Sequence, residues 1–181
     1  GETLVARTVN TLLQLSDDIM VVTNDPQPYE PLRLPARLVP DELPGRGSLM
    51  GIYSGLKNAL HSHALAVACD MPFLQVPLLR YMGGLVEGYD VVIPRADGLL
   101  EPLHAIYARS CLPAMRSLLE QGRRRIIAFF PEVRVRYVEE HEIARFDPGH
   151  LSFLNVNTPK DWARVQRLVL VGAPPDKLAQ V

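Results

Sequence analysis

The segment Ala64-Leu-Ala-Val-Ala-Cys-Asp-Met-Pro-Phe73 constrains the fold of this chain more than any other. A short, continuous apolar run closed by turn-forming residues reads as a strand buried on both faces, the kind found in parallel sheets covered by helices. The strand is expected over 64–69, with Asp70 at its carboxyl end and Pro72 preventing its continuation. In open α/β sheets, ligands bind at that edge. Two readings of Asp70 stand side by side. It can be a ligand for a hard cation such as Mg²⁺, or the cap of the helix that follows.

The rest of the chain alternates in the same style. Leu4, Val5, Val9, Leu12 and Leu13 recur at helical spacing and predict an amphipathic first helix. Ile19–Thr23 reads as a buried strand ending in the turn residues Asn24-Asp25-Pro26. A short strand over Ala36–Val39 leads into a loop with glycine at 45, 47 and 51, then a helix from about Met50 to His61. A helix over Val76–Glu87 and a strand over Tyr89–Ile93 follow, then a candidate strand at Pro102–Tyr107 and a helix over Leu112–Gln121 stopped by Gly122. Val133–Val138 is a strand with one wet face, and Asn157-Thr158-Pro159 opens a last helix, with Thr158 placed as its cap. Strand–helix alternation of this kind predicts an α/β fold, a three-layer sandwich around a Rossmann-like, mostly parallel sheet. One domain over 1–170 and a tail over 171–181 are expected.

Bulk properties narrow the partners. In 181 residues, 48% are hydrophobic and 22% charged, which suits one globular domain with a sizeable core. The formal net charge of −1 gives no support for generic nucleic-acid binding. No apolar run approaches the roughly 18 residues of a membrane-spanning helix, so no membrane partner is expected. Cys69 and Cys111 form neither a disulfide framework nor a metal-ligand spacing, and a cytoplasmic location is the simplest expectation. Cys69 is expected as a small buried hydrophobe in the core strand.

Three polar turns follow predicted strands: Asn24-Asp25, Asp41 with its glycine-rich loop, and Asp70. If the strands are parallel, all three face one edge of the sheet. In the loop Asp41-Glu-Leu-Pro-Gly-Arg-Gly-Ser-Leu-Met-Gly51, glycine lets the backbone approach a ligand closely, and the loop ends at a helix N-terminus suited to phosphate. A flexible strand–helix connection is the plain alternative. Asn155 and Asn157, two apart on a strand, would point the same way. Arg123-Arg124-Arg125 is either a solvated face complementing a helix end or a clamp for an anionic substrate group. His104, in an apolar setting, is expected as a satisfied core histidine, and His61, His63, His141 and His150 have no ligand-like spacing.

Cys69-Asp-Met-Pro-Phe73, Gly47-Ser-Leu-Met-Gly-Ile52, Glu101-Pro-Leu-His-Ala-Ile-Tyr107, Gly122-Arg-Arg-Arg125 and Phe153-Leu-Asn-Val-Asn-Thr-Pro159 together resemble the molybdenum cofactor guanylyltransferases, within the nucleoside-triphosphate transferase domains. The resemblance covers the chain up to about Leu170. It implies Mg²⁺-dependent joining of GTP and molybdopterin cofactor into the guanine dinucleotide cofactor, with release of pyrophosphate. Molybdoenzymes or cofactor-carrier proteins are the implied protein partners. On this resemblance Asp70 looks like the magnesium ligand and a catalytic residue. Asn24, Asp41 and Gly47 look like guanine-nucleotide contacts, and Asn155 and Asn157 like positions near the metal and the acceptor phosphate. Arg123 and Arg124 are the expected cations for the acceptor.

Two features depart from the family pattern. Ser48 stands where the glycine loop commonly has proline. The family's opening strand and its Leu-Ala-Gly-Gly-x-Ser-x-Arg-Met-Gly-x-Asp-Lys phosphate loop have no counterpart in these 181 residues, whose first helix matches the one after that loop. The natural protein is expected to have that segment, because without it the neighbouring strands would expose unpaired edges and apolar faces. The alternatives are a cytidylyltransferase or another nucleotidyltransferase of the same fold, or a binding module without the phosphate loop.

Overall fold

The computed structural model describes residues 3–156 together with Thr158, Lys160, Asp161 and Ala163. Helix α1 (Leu4–Leu12) starts where the Thr3 hydroxyl accepts a hydrogen bond from the Ala6 N–H, the usual role of an N-cap threonine. Strands β1 (Met20–Val22) and β2 (Arg37–Val39) pair in parallel. Helix α2 (Ser48–Asn58) follows after the loop over 40–47, its first turn opened by Gly47 at φ 76°. Strand β3 (His63–Val67) and helix α3 (Val76–Gly83) come next. The chain continues with β4 (Val91–Ala96), β5 (Leu99–Leu100), β6 (His104–Ala108), α4 (Leu112–Glu120), β7 (Val135–Val138) and the short α5 (Glu140–Ile143). A 3-10 stretch over Ile126–Glu132 links α4 to β7.

The larger sheet runs β3-β6-β4-β7, with β5 on the end of β4. β6 is antiparallel to both β3 and β4, and β4 is parallel to β7, so β3, β4 and β7 share one direction. The reversal of β6 follows from its connection. Asp97-Gly98 turns the chain tightly between β4 and β5, too short for the crossover a parallel return needs. Successive residues of the central strands feed opposite faces. Ala105 and Tyr107 pack with Leu49, Leu56, Met115 and Phe129 under α2 and α4. Ile106 and Val92 pack with Met71, Leu78, Met82 and Ile143 under α3 and α5. Burial on both faces is what makes these strands read as continuous apolar runs. The three-layer α/β expectation holds.

Several boundaries differ from the sequence expectation. The strand of the 64–73 segment stops at Val67, and Ala68 makes one last bond to Leu103 O before the chain turns. Cys69 is therefore exposed rather than a core residue. Helix α3 ends at Gly83-Gly84 rather than Glu87. β5 and α5 are too short to leave a periodic signature.

β1 and β3 do not pair with each other. Among the described residues each has one partner, β2 and β6 respectively, and they face one another across a cavity of about 620 Å³. Its walls are Met20–Val22 and Ala64–Ala68, with Val5, Val9 and Leu12 of α1 and Ile52, Gly55 and Leu56 of α2 also lining it. All residues of β1 and β3 are only partly buried as a result. Among the described residues, no helix is long and apolar enough to cross a membrane.

Candidate active site

Asp70 lies three residues beyond the end of β3 and does not cap α3, which begins at Val76 behind the N-cap Gln75. The capping alternative is thereby removed. Its carbonyl accepts the Val156 N–H at 2.9 Å, which brings the neighbouring Asn155 beside it. Its Oδ1 is buried and has no hydrogen-bond partner. Asp70 lines the 620 Å³ cavity and also a hollow of about 200 Å³, which it shares with Glu101, Ile126 and Asn155. A buried carboxylate oxygen without a donor is costly unless something else satisfies it. An oxygen of this kind fits a hard divalent cation, and the Asn155 amide is a compatible neighbour.

A second polar group forms where the parallel pair β1–β2 ends. Asn24 Nδ2 donates to Asp41 Oδ2 at 2.9 Å, and the Asp41 N–H donates back to Asn24 Oδ1 at 2.9 Å. This reciprocal pair leaves Asp41 Oδ1 buried and unpartnered, facing the start of α2 at Gly51. Gly47 takes a left-handed conformation that favours glycine, and the Met50 N–H closes the first turn onto its carbonyl. Ser48 and Gly51 line the same large cavity as Asp70.

A profile of the MobA-like NTP transferase domain matches residues 1–139. The chain is 36% identical over 173 residues to a molybdenum cofactor guanylyltransferase from Desulfosudis oleivorans, covering 95% of this chain and 85% of that protein. A probable molybdenum cofactor guanylyltransferase from Pelotomaculum thermopropionicum is 42% identical over 135 residues, 75% of this chain and 66% of its own. This chain belongs to the MobA-like NTP transferase domain family. The solved molybdopterin-guanine dinucleotide biosynthesis protein A from Archaeoglobus fulgidus superposes with a TM-score of 0.81 at 28% identity, over 94% of this chain and 87% of that one. As a member of the MobA-like family, the chain is a nucleotidyltransferase.

The remaining sequence candidates of this MobA-like domain sit as follows. Gly122, at φ 71°, ends α4 with the Arg123 N–H bonded to Leu118 O and its own N–H to Leu119 O. Arg123 and Arg124 are exposed, and their run leads into Ile126, which lines the 200 Å³ hollow. Asn155 is exposed on the hollow, and Asn157 lies outside the described residues. The Thr158 hydroxyl and Asp161 bond reciprocally, as a cap and its third residue do. His104 is in the core, edge-on to Phe153, but it is not satisfied: neither ring nitrogen has a partner, and burial lowers its pKa to about 4.

Sequence reasoning missed three features. Asp147 is buried and accepts the N–H groups of Leu151 and Ser152, and the Ser152 hydroxyl accepts the Gln75 N–H. These bonds hold the segment that carries Asn155. His150, which has no ligand-like spacing in sequence, meets Asp97 at 3.1 Å and Glu140 at 2.5 Å, a grouping drawn from three separate segments. Glu101 belongs to a motif noted above, yet nothing in its neighbours along the chain says that it faces Asp70's hollow.

Proposed function

We propose that this chain transfers GMP from GTP to the terminal phosphate of molybdopterin, releasing pyrophosphate, with Mg²⁺ held at Asp70. The names of its relatives support guanylyl transfer as the activity. Within the chain, one observation carries the reading: Asp70, which lines both cavities, has a buried Oδ1 with no hydrogen-bond partner. A phosphate oxygen of the acceptor forms the new bond to the α-phosphorus of GTP. The bond from that phosphorus to the oxygen bridging it to the β-phosphate breaks, and pyrophosphate leaves with that oxygen. No covalent enzyme intermediate is required, so the chain contributes position and charge. Mg²⁺, when bound, offsets the negative charge on the transferring and leaving phosphates.

The residues divide the work by position. Asn24 holds Asp41 so that its free oxygen accepts from the N–H or O–H donors of the nucleotide. Gly47 leaves the backbone at the start of α2 open to close approach. Asp70 and Asn155, which line the smaller hollow, face the reacting phosphates, and the exposed Arg123 and Arg124 neutralise the acceptor's phosphate. Asn157 takes its acceptor role from the resemblance alone. The recipients of the product are molybdoenzymes or cofactor-carrier proteins.

Pyrophosphate release with molybdopterin and GTP, CTP or ATP tests the reading. It is measured on the 181-residue chain and on the same chain fused behind a family-type strand and glycine-rich loop. GTP is expected to be preferred, and Asp70→Asn to lower kcat about a hundredfold or more with an unchanged melting temperature. Equal rates for Asp70→Asn and the parent overturn the metal role. Faster release from CTP moves the activity to cytidylyl transfer.

A further inference from the structure

We propose that Glu101 is a second carboxylate facing the cation of the Asp70 site. The inference rests on the metal reading of Asp70 given above. β3 and β6 pair with Val67 opposite His104, and Ala68 extends the ladder by donating to Leu103 O. Continued outward, that register sets Asp70 opposite Glu101. Where the strands part, the two residues line the same 200 Å³ hollow, with Asn155 on its wall. The two acids therefore sit on the wall of one hollow just beyond the end of the β3–β6 ladder.

The backbone of Glu101 is anchored on both sides. Its N–H donates to Pro94 O at 3.1 Å, and its carbonyl accepts the His104 N–H at 3.0 Å. Its carboxylate, by contrast, is half-buried and draws no hydrogen bond or ion pair from the described residues. Burial and the charge of Asp97 both push its pKa upward. Asp70, on the wall of the same hollow, has a buried Oδ1 with no donor either. Two carboxylates and an amide around one small hollow, with an orphaned buried oxygen among them, form an all-oxygen donor set, the chemistry that suits Mg²⁺ or Mn²⁺. An arginine or lysine would be the protein's own way of neutralising such a pair, and among the described residues neither lines this hollow.

The test uses Mn²⁺ alone as probe, with free Mn²⁺ counted by electron paramagnetic resonance against the full 181-residue chain. Parent, Asp70→Asn, Glu101→Gln, Glu101→Asp and His150→Gln proteins are compared, each checked for its melting temperature. Glu101→Gln is expected to weaken Mn²⁺ binding about tenfold or more with melting unchanged, and Glu101→Asp to restore part of it. Normal binding by Glu101→Gln together with loss in Asp70→Asn overturns the role of Glu101 and leaves the metal reading standing. Normal binding by Asp70→Asn, or none by the parent, overturns the metal reading and this inference with it. Loss in His150→Gln alone places the ion at Asp97, Glu140 and His150 and also overturns the proposal.

Discussion

Single residues in this domain are set by what surrounds them. His104 of β6 is fully buried and edge-on to the Phe153 ring, with two ring nitrogens that find no partner. A buried polar group left unpaired costs about 1–3 kcal/mol, so the apolar replacement His104→Leu, close in volume, is expected to raise stability by about 1 kcal/mol, read as a higher melting temperature. A lower melting temperature would mean that the imidazole is satisfied after all. The sequence placed His104 in the core from its apolar neighbours, but partners contributed by distant segments have no local signal. The same holds for Asp70. Its position after an apolar run marked it as a site residue, while the fate of each carboxylate oxygen depends on Val156 and the turn after Val67.

At the scale of elements, α5 is fixed by one carboxylate. Glu142 accepts from the Glu139 N–H at 2.9 Å and from Arg136 of β7 at 2.5 and 3.1 Å, and it also accepts from the Tyr81 hydroxyl of α3. Burial alone would raise its pKa, but Arg136, Tyr81 and the backbone donor outweigh it and hold the carboxyl at about 2. The folded pKa thus lies below that of an unfolded glutamate, about 4.3. The stabilisation is complete above the unfolded value and is lost as pH falls toward the folded one. Glu142→Gln is expected to cost roughly 3 kcal/mol at neutral pH and to flatten the decline of stability between about pH 4 and pH 2. Parallel urea titrations of both proteins across that range check it, and an unchanged acid limb would remove Glu142 as its source. Four residues are too few for helical periodicity, which is why this element and its three-way tie escaped the sequence reading.

For the whole molecule, the decisive feature is the slot between its two sheets. β1 and β3 each present one unpaired edge to a cavity lined largely by aliphatic side chains. Backbone groups on such edges are open to solvent or to an added strand. Hydrogen exchange is expected to be about a hundredfold faster at the alternate β3 amides that face the slot than at those bonded to β6. Equal protection along β3 would show the slot closed in solution. The sequence by itself determined the α/β alternation, the two-faced burial of the central strands and the turns that carry Asn24, Asp41 and Asp70, because these follow from short-range patterns of apolar and turn-forming residues. Only the tertiary structure decided that β6 runs backward, that Asp41 and Asp70 each keep a buried oxygen free, and that Glu101 lines the same hollow as Asp70. Strand pairing and cavity walls are made by residues far apart in the chain, and nothing local encodes which of them will meet.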